Sequence, residues 1–236
     1  MTPTLADLAE FIRAGRGARV PFIVGITGAV AVGKSTLAAA LRELIVAWAE
    51  APTVEVVCTD GFLLDNATLE ARGLTLRKGY PESYDAETLR TTLAALRLGP
   101  ADFPGYSHLT YDIDPALARR LAPPDILIVE GLGLQEPAAL GLDALVYLDA
   151  EEDLLEAWFT ERFLQLWRAA ETDPGSFYAR FRHMSQDEVR TLAANVWQRI
   201  NLPNLREHII HARDQADWVV RKGPEHVIQA IAASRQ

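Results

Sequence analysis

Short, mostly apolar runs alternate along this chain with stretches whose apolar residues return every three or four positions. The runs at 21–26 (PFIVGI), 53–59 (TVEVVCT), 125–129 (DILIV), 144–148 (ALVYL) and 218–221 (WVVR) are too short for core helices and read as strands. Between them, 35–48 places Leu37, Leu41, Leu44, Ile45 and Trp48 on one helical face. Residues 86–98 repeat that pattern and stop at Gly99-Pro100. A longer amphipathic stretch, 151–170, begins with acidic residues, where a helix dipole favours them, and is broken by Thr172-Asp-Pro-Gly175. Two further helices are expected at 186–200 and 205–211, with 218–221 as the last strand. Strand–helix alternation of this kind predicts an α/β fold, a mainly parallel β-sheet covered by helices on both faces. Neither an internal repeat nor a linker is visible, so residues 1–236 are expected to form a single domain. Two long irregular segments, 60–85 and 101–124, interrupt the alternation, and loops of that length in a compact domain are usually binding loops or lids.

Directly after the first strand, Gly28, Ala29, Val30, Ala31, Val32, Gly33, Lys34, Ser35 and Thr36 spell G-x-x-x-x-G-K-S-T. The two glycines permit a tight turn whose amides face an anion. The lysine adds a point charge for β- and γ-phosphates, and the serine offers a hydroxyl to magnesium. The strand-before, helix-after context is the one in which backbone amides and the helix dipole stabilise phosphate. Residue usage sharpens the reading. Of 23 basic residues only Lys34, Lys78 and Lys222 are lysine, so an otherwise arginine-using chain keeps a compact ammonium at this position.

Charge and composition remove other classes. The net charge of −9 gives no electrostatic support for binding nucleic acid or a membrane surface. No apolar run approaches the ~20 residues of a membrane span. The N-terminus lacks the charged-then-apolar layout of a signal peptide. Cys58 is the only cysteine, which excludes an internal disulfide and reads as packing. The expectation is a soluble cytoplasmic protein.

In open parallel sheets ligands gather at the carboxyl ends of the strands. The 53–59 strand ends at Asp60-Gly61, and an aspartate there fits a general base for an attacking hydroxyl, although Asp before Gly is also a common turn cap. The 125–129 strand ends at Glu130, placed to contact magnesium beside Ser35. Tyr106, His108 and Tyr111 crowd the second long loop and fit a polar acceptor, or simply pin that loop. Within the long helix, Trp158, Phe159, Arg162 and Phe163 form an aromatic stripe. The embedded Arg162 needs an anion, either a carboxylate or a phosphoryl group in transfer.

Taken together, GAVAVGKST, the segment 59–85 (TDGFLLDNATLEARGLTLRKGYPESYD), YSHLTYD, PDILIVEG and the late Asn201-Leu-Pro-Asn204-Leu resemble bacterial type I pantothenate kinases. These are P-loop kinases related to uridine kinase and phosphoribulokinase. The resemblance runs from about Pro21 to His226. It implies a P-loop kinase fold and transfer of the ATP γ-phosphoryl to the primary hydroxyl of pantothenate, the first step of coenzyme A synthesis. ATP and Mg2+ are the implied cofactors, coenzyme A an inhibitor, and a homodimer the implied assembly. By the same resemblance Asp60 is the catalytic aspartate, and Lys34 and Ser35 are phosphate and magnesium contacts. Tyr106, His108, Tyr111 and Asn201 surround the acceptor, and Arg162 steadies the transferring group. Phe159 stands where the family has a substrate-contacting tyrosine. Ala39 and Glu171 replace an arginine and an aromatic residue of the coenzyme A pocket, so feedback is expected to be weak. The segment before the phosphate loop and the stretch between Glu130 and Tyr147 are both shorter than in familiar members. A related kinase acting on another small alcohol, uridine- or glycerate-kinase-like, stays open because of Phe159. A nucleotide-dependent switch or ATPase is disfavoured: neither Asn-Lys-x-Asp nor Leu-Ser-Gly-Gly occurs.

Overall fold

The computed structural model describes residues 4–234. Its centre is a six-stranded sheet in the order β10-β9-β8-β1-β7-β2, built from β1 (Phe22–Gly28), β2 (Val54–Cys58), β7 (Ile126–Glu130), β8 (Ala144–Asp149), β9 (Trp218–Lys222) and β10 (Ile228–Ala233). Neighbouring strands run parallel except β9 and β10. Every residue of β1 and β7 is buried, so both faces of the sheet centre are covered. The helix α2 (Lys34–Val46) lies against β1, β2 and β7, inserting Leu37, Ala38, Leu41 and Ile45. The helix α9 (His211–Gln215) packs against β1 and β8.

The five expected strands and the helices at 35–48, 86–98 and 151–170 are present, the last two as α4 (Ala86–Leu96) and α6 (Glu152–Ala169). Three features differ from the sequence expectation. An N-terminal helix, α1 (Leu5–Arg16), starts at a Thr4/Asp7 capping box and buries Leu8, Ala9 and Ile12. Secondly, β9 is not the last strand. The segment after it, IQAIAA, mixes two isoleucines with three alanines and gives only a weak strand signal, and its antiparallel pairing with β9 makes it β10. Finally, the two late helices form one rod: α7 (Gln186–Val196) continues through wide π-type turns at Trp197–Asn201 and Leu205–Ile209, on either side of α8 (Leu202–Asn204), into α9.

The long loops hold short elements, namely α3 (Asn66–Ala71) in the first and β3 (Ala101–Phe103), β4 (Tyr106–Ser107), β5 (Asp112–Ile113) and β6 (Arg119–Leu121) in the second. The four-residue α5 (Pro137–Leu140) connects β7 to β8. At the amino-terminal edge of the sheet, aspartates stitch adjacent strands together. Asp125 accepts from the Thr53 amide, Asp143 from the Ile23 amide and Asp217 from the Leu145 amide, each at 2.8 Å. At that edge the carboxylates are taken up by amides of the neighbouring strand segments.

Candidate active site

Three strand ends meet at the carboxyl edge. In the ladder register Glu130, at the end of β7, lies beside Ile26 of β1 and Cys58 of β2. Beyond β1 the chain enters the phosphate-loop sequence, with Gly28 and Gly33 at φ 144° and 92°. Gly33 caps α2, and no side chain occupies the amides of the helix's first turn, which are left for an anion. Gly33 is favoured by its backbone angle, and a Cβ there would also lie 2.6 Å from the Lys222 ammonium, which would have to move. Ala29 and Val32 are buried, Val30 and Ala31 are half-buried, and Thr36 is exposed in the first turn of α2.

Lys34 curls over the loop and donates to the Gly28 and Ala29 carbonyls at 3.2 and 2.9 Å. Burial pulls its pKa below the ordinary lysine value, while the carboxylates of Glu130 and Asp60 act in the opposite direction. Arg162, across the site, adds to the lowering. Glu130, Asp60 and Arg162 all act on the charge of Lys34. Ser35 donates to Glu130 Oε1 at 2.8 Å, and Glu130 is 7% exposed. This all-oxygen pair suits magnesium, which is commonly held by one or two carboxylates with phosphate and water completing the shell. No group of three or more His, Cys, Asp or Glu side chains poised for a metal exists among the described residues. The donor set thus fits an ion arriving with a nucleotide rather than a closed protein cage.

Asp60 lies in a 3₁₀ turn, Thr59–Phe62, and its amide donates to the Cys58 sulfur at 3.5 Å. Among the described residues its carboxylate has neither an ion-pair nor a hydrogen-bond partner. Gly61 follows for a reason not visible in the sequence: a Cβ there would lie 2.4 Å from the Pro104 carbonyl oxygen, where the second long loop crosses behind Asp60. Burial raises the Cys58 thiol pKa far above its usual range, which keeps it protonated.

The second loop brings Tyr106 edge-on to His108 and Tyr111, with ring centroids 5.1 and 6.1 Å apart. Tyr111 adopts φ 60°, uncommon for a non-glycine residue, and its ring lies 4.9 Å from Phe177. Burial raises the pKa of the Tyr106 and Tyr111 phenols, and the Asp60 carboxylate adds to the shift in both. These two groups remain neutral hydrogen-bonding partners facing the same space as Asp60. Phe159 packs 6.0 Å from Phe163 and 5.9 Å from Trp197. Arg162 is exposed and has no carboxylate partner among the described residues, so its aromatic setting is not resolved by an ion pair. Asn201 ends the first π-type turn and carries a buried Nδ2 without a hydrogen-bond acceptor. A buried amide without an acceptor has hydrogen-bonding capacity to spare.

The sequence reading passed over two lysines. Lys222, 5% exposed, ends β9 and donates to the Val32 carbonyl of the phosphate loop at 3.0 Å. The turn after it brings His226 onto the face of Trp158, with centroids 3.9 Å apart. Lys78 donates to Asn66 Oδ1 at 2.7 Å and to the Tyr111 carbonyl at 2.5 Å, beneath the rings of Tyr106 and Tyr111. Lys34 and Lys222 thus both contact the phosphate loop, and Lys78 contacts the Tyr106–Tyr111 loop. Their scarcity was the available signal.

Comparison with known proteins places this arrangement. Residues 23–164 match the model of the phosphoribulokinase / uridine kinase family. A pantothenate kinase of Chelativorans sp. (strain BNC1) is 41% identical, covering 94% of this chain and 74% of its own length. That of Leifsonia xyli subsp. xyli (strain CTCB07) is 44% identical, with 92% and 70% covered. Among solved structures, one titled "putative fructose transport system kinase" from Silicibacter sp. TM1040 superposes with a TM-score of 0.69 at 28% identity, over 86% of this chain and 93% of that one. With a phosphate loop at the centre of a mainly parallel sheet and kinship of this extent, the chain belongs to the phosphoribulokinase / uridine kinase family and, within it, to the pantothenate kinases.

Proposed function

We propose that this chain transfers the γ-phosphoryl group of ATP to the primary hydroxyl of pantothenate, giving 4'-phosphopantothenate and ADP at the first step of coenzyme A synthesis. One observation carries the reading: an unpartnered carboxylate, Asp60, and an unpartnered guanidinium, Arg162, share an electrostatic neighbourhood with the phosphate-loop lysine. Asp60 accepts the proton of the acceptor hydroxyl as that oxygen bonds to the γ-phosphorus and the bond to the β,γ-bridging oxygen breaks. Lys34 leaves its loop carbonyls for phosphate oxygens, aided by the free amides of α2. Arg162 offsets the charge on the group in flight. Ser35 and Glu130 would hold magnesium, which supplies positive charge against the phosphate oxygens.

Tyr106, His108, Tyr111 and Asn201 line the acceptor side, where neutral phenols and a free amide donor suit a polar, amide-containing acid. Phe159 gives that pocket an apolar wall. Lys222 braces the phosphate loop from behind through Val32. Coenzyme A as a weak feedback inhibitor, a homodimer and a cytoplasmic setting belong to the same reading. Ala39 and Glu171 are both exposed and offer no positive or aromatic contact to such an inhibitor. For the setting, no helix among the described residues is long and apolar enough to cross a membrane.

The test is ADP release with pantothenate as sole acceptor, set beside uridine and glycerate and repeated with coenzyme A present. Turnover with pantothenate at least tenfold above either alternative is expected. Preference for another alcohol would replace the acceptor, and ADP release independent of any alcohol would replace the kinase.

A further inference from the structure

The pieces of the acceptor pocket come from segments far apart in sequence, and one short stretch of the first long loop touches two of them. Lys78 reaches the second loop through the Tyr111 carbonyl and the faces of Tyr106 and Tyr111. The next two residues turn the other way. The Gly79 carbonyl accepts from Asn204 Nδ2 at 2.8 Å. The Tyr80 hydroxyl donates to the Ile200 carbonyl at 3.0 Å, spanning 120 positions of chain.

Both contacts land on the rod where it departs from regular α-helix. Ile200 lies in the π-type turn Trp197–Asn201, next to the free amide of Asn201, and Asn204 lies in the single α-turn that follows. Wide turns hold their carbonyls less firmly than α-turns, so an outside donor at Ile200 fixes a part of the rod that its own ladder leaves soft. The strut is built rather than incidental. Tyr80 and Asn204 are 3% and 2% exposed. The Tyr80 ring carries the Arg77 guanidinium on one face at 3.8 Å and meets His208 edge-on at 5.6 Å. Ser83 ties the stretch to itself, accepting from the Gly79 amide at 2.9 Å and donating to the Tyr80 carbonyl at 2.7 Å. Gly79 sits at φ 95°, the conformation that lets its carbonyl face the rod while Lys78 faces the other loop.

We infer that Tyr80 and Asn204 are positioning residues for the acceptor, setting the distance between Asn201 on the rod and the Tyr106–Tyr111 loop. Neither touches the phosphate loop, and neither is assigned contact with the substrate. The strut acts on acceptor capture and leaves the nucleotide side alone. The inference rests on the acceptor reading above for the identity of the molecule held. The strut itself rests on the two hydrogen bonds alone.

The experiment compares wild type with Tyr80→Phe, which keeps the ring and its packing, and with Asn204→Leu, which keeps similar volume and removes the donor to Gly79 without adding charge. Steady-state kinetics with pantothenate and ATP are measured alongside hydrogen–deuterium exchange of the intact enzyme. In both variants KM for pantothenate is expected to rise about fivefold or more, with kcat and KM for ATP within twofold of wild type. Amides of 197–204 should exchange faster, and those of 34–46 should not change. An unchanged pantothenate KM with unchanged exchange at 197–204 overturns the strut. A fall in kcat with KM unchanged also overturns it, since that marks a role in the chemical step. A wild-type enzyme inactive on pantothenate refutes the acceptor reading instead, and in that event exchange at 197–204 alone decides for or against the strut.

Discussion

The two edges of the central sheet use the same side chain for opposite ends. At the amino edge, Asp125, Asp143 and Asp217 each directly precede a strand, and each carboxylate accepts from an amide of the neighbouring strand segment. Asp143 accepts from the Ile23 amide and from Arg97 Nη2, both at 2.8 Å, and pairs with Arg19. At the carboxyl edge, Asp60 follows a strand and is left without a partner among the described residues, while Glu130 is held by one serine. A carboxylate whose lone pairs are all engaged locks the backbone around it. One with spare capacity holds that capacity for a proton or a cation. The contrast is positional: the aspartates before these strands are engaged by neighbouring amides, whereas Asp60 after β2 keeps a free carboxylate among the described residues, although Asp149 at the end of β8 pairs with Arg213.

Substitutions on the two edges should separate cleanly. The largest effect is expected from Asp60→Asn, which keeps shape and removes proton acceptance. Turnover should fall about 10²–10⁴-fold, with ATP affinity unchanged in a binding titration. Undiminished turnover would return Asp60 to the turn-capping role. Asp143→Ala should invert the pattern. Losing an amide partner and an arginine partner costs about 2–3 kcal/mol of stability, read as a lower denaturation midpoint, with kcat and both KM values retained while the protein is folded. If activity fell and stability held, the division between edges would be lost.

Lys222→Met tests the brace on the phosphate loop. It strands the Val32 carbonyl and is expected to raise KM for ATP by about tenfold, near 1.4 kcal/mol, with pantothenate KM unmoved. A rise confined to pantothenate would place Lys222 on the wrong side of the site. The smallest effect is expected from Phe159→Tyr. A regained hydroxyl donor is worth about 0.5–1.5 kcal/mol, so pantothenate KM should drop a few-fold, and a rise would mean that the Phe163 and Trp197 contacts leave the hydroxyl no room.

The sequence made the phosphate side legible because that side is local. Strand, glycine turn, lysine and helix are consecutive, and each conformation follows from its own residue types. The strand ends at Asp60 and Glu130 were equally readable, since a short apolar run announces where it stops. On the proposed acceptor side, pattern singled out Tyr106, His108, Tyr111 and Arg162, the resemblance added Asn201, and residues 78–80 were missed, because these parts are far apart in sequence and nothing local says that they meet.

Alternation of apolar runs with helical periodicity, the charge balance and the G-x-x-x-x-G-K-S-T segment by themselves determined an α/β sheet protein with a phosphate site at the end of its first strand. Tertiary structure alone decided the rest. Pairing across the sheet made an alanine-rich tail into β10. The crossing of Pro104 behind Asp60 made residue 61 a glycine. Folding also carried Lys78 to the Tyr111 carbonyl and Lys222 to the phosphate loop that holds Lys34. Long-range packing energies outweigh the few tenths of a kilocalorie in local propensity, and they are properties of neighbours that the linear order of residues does not name.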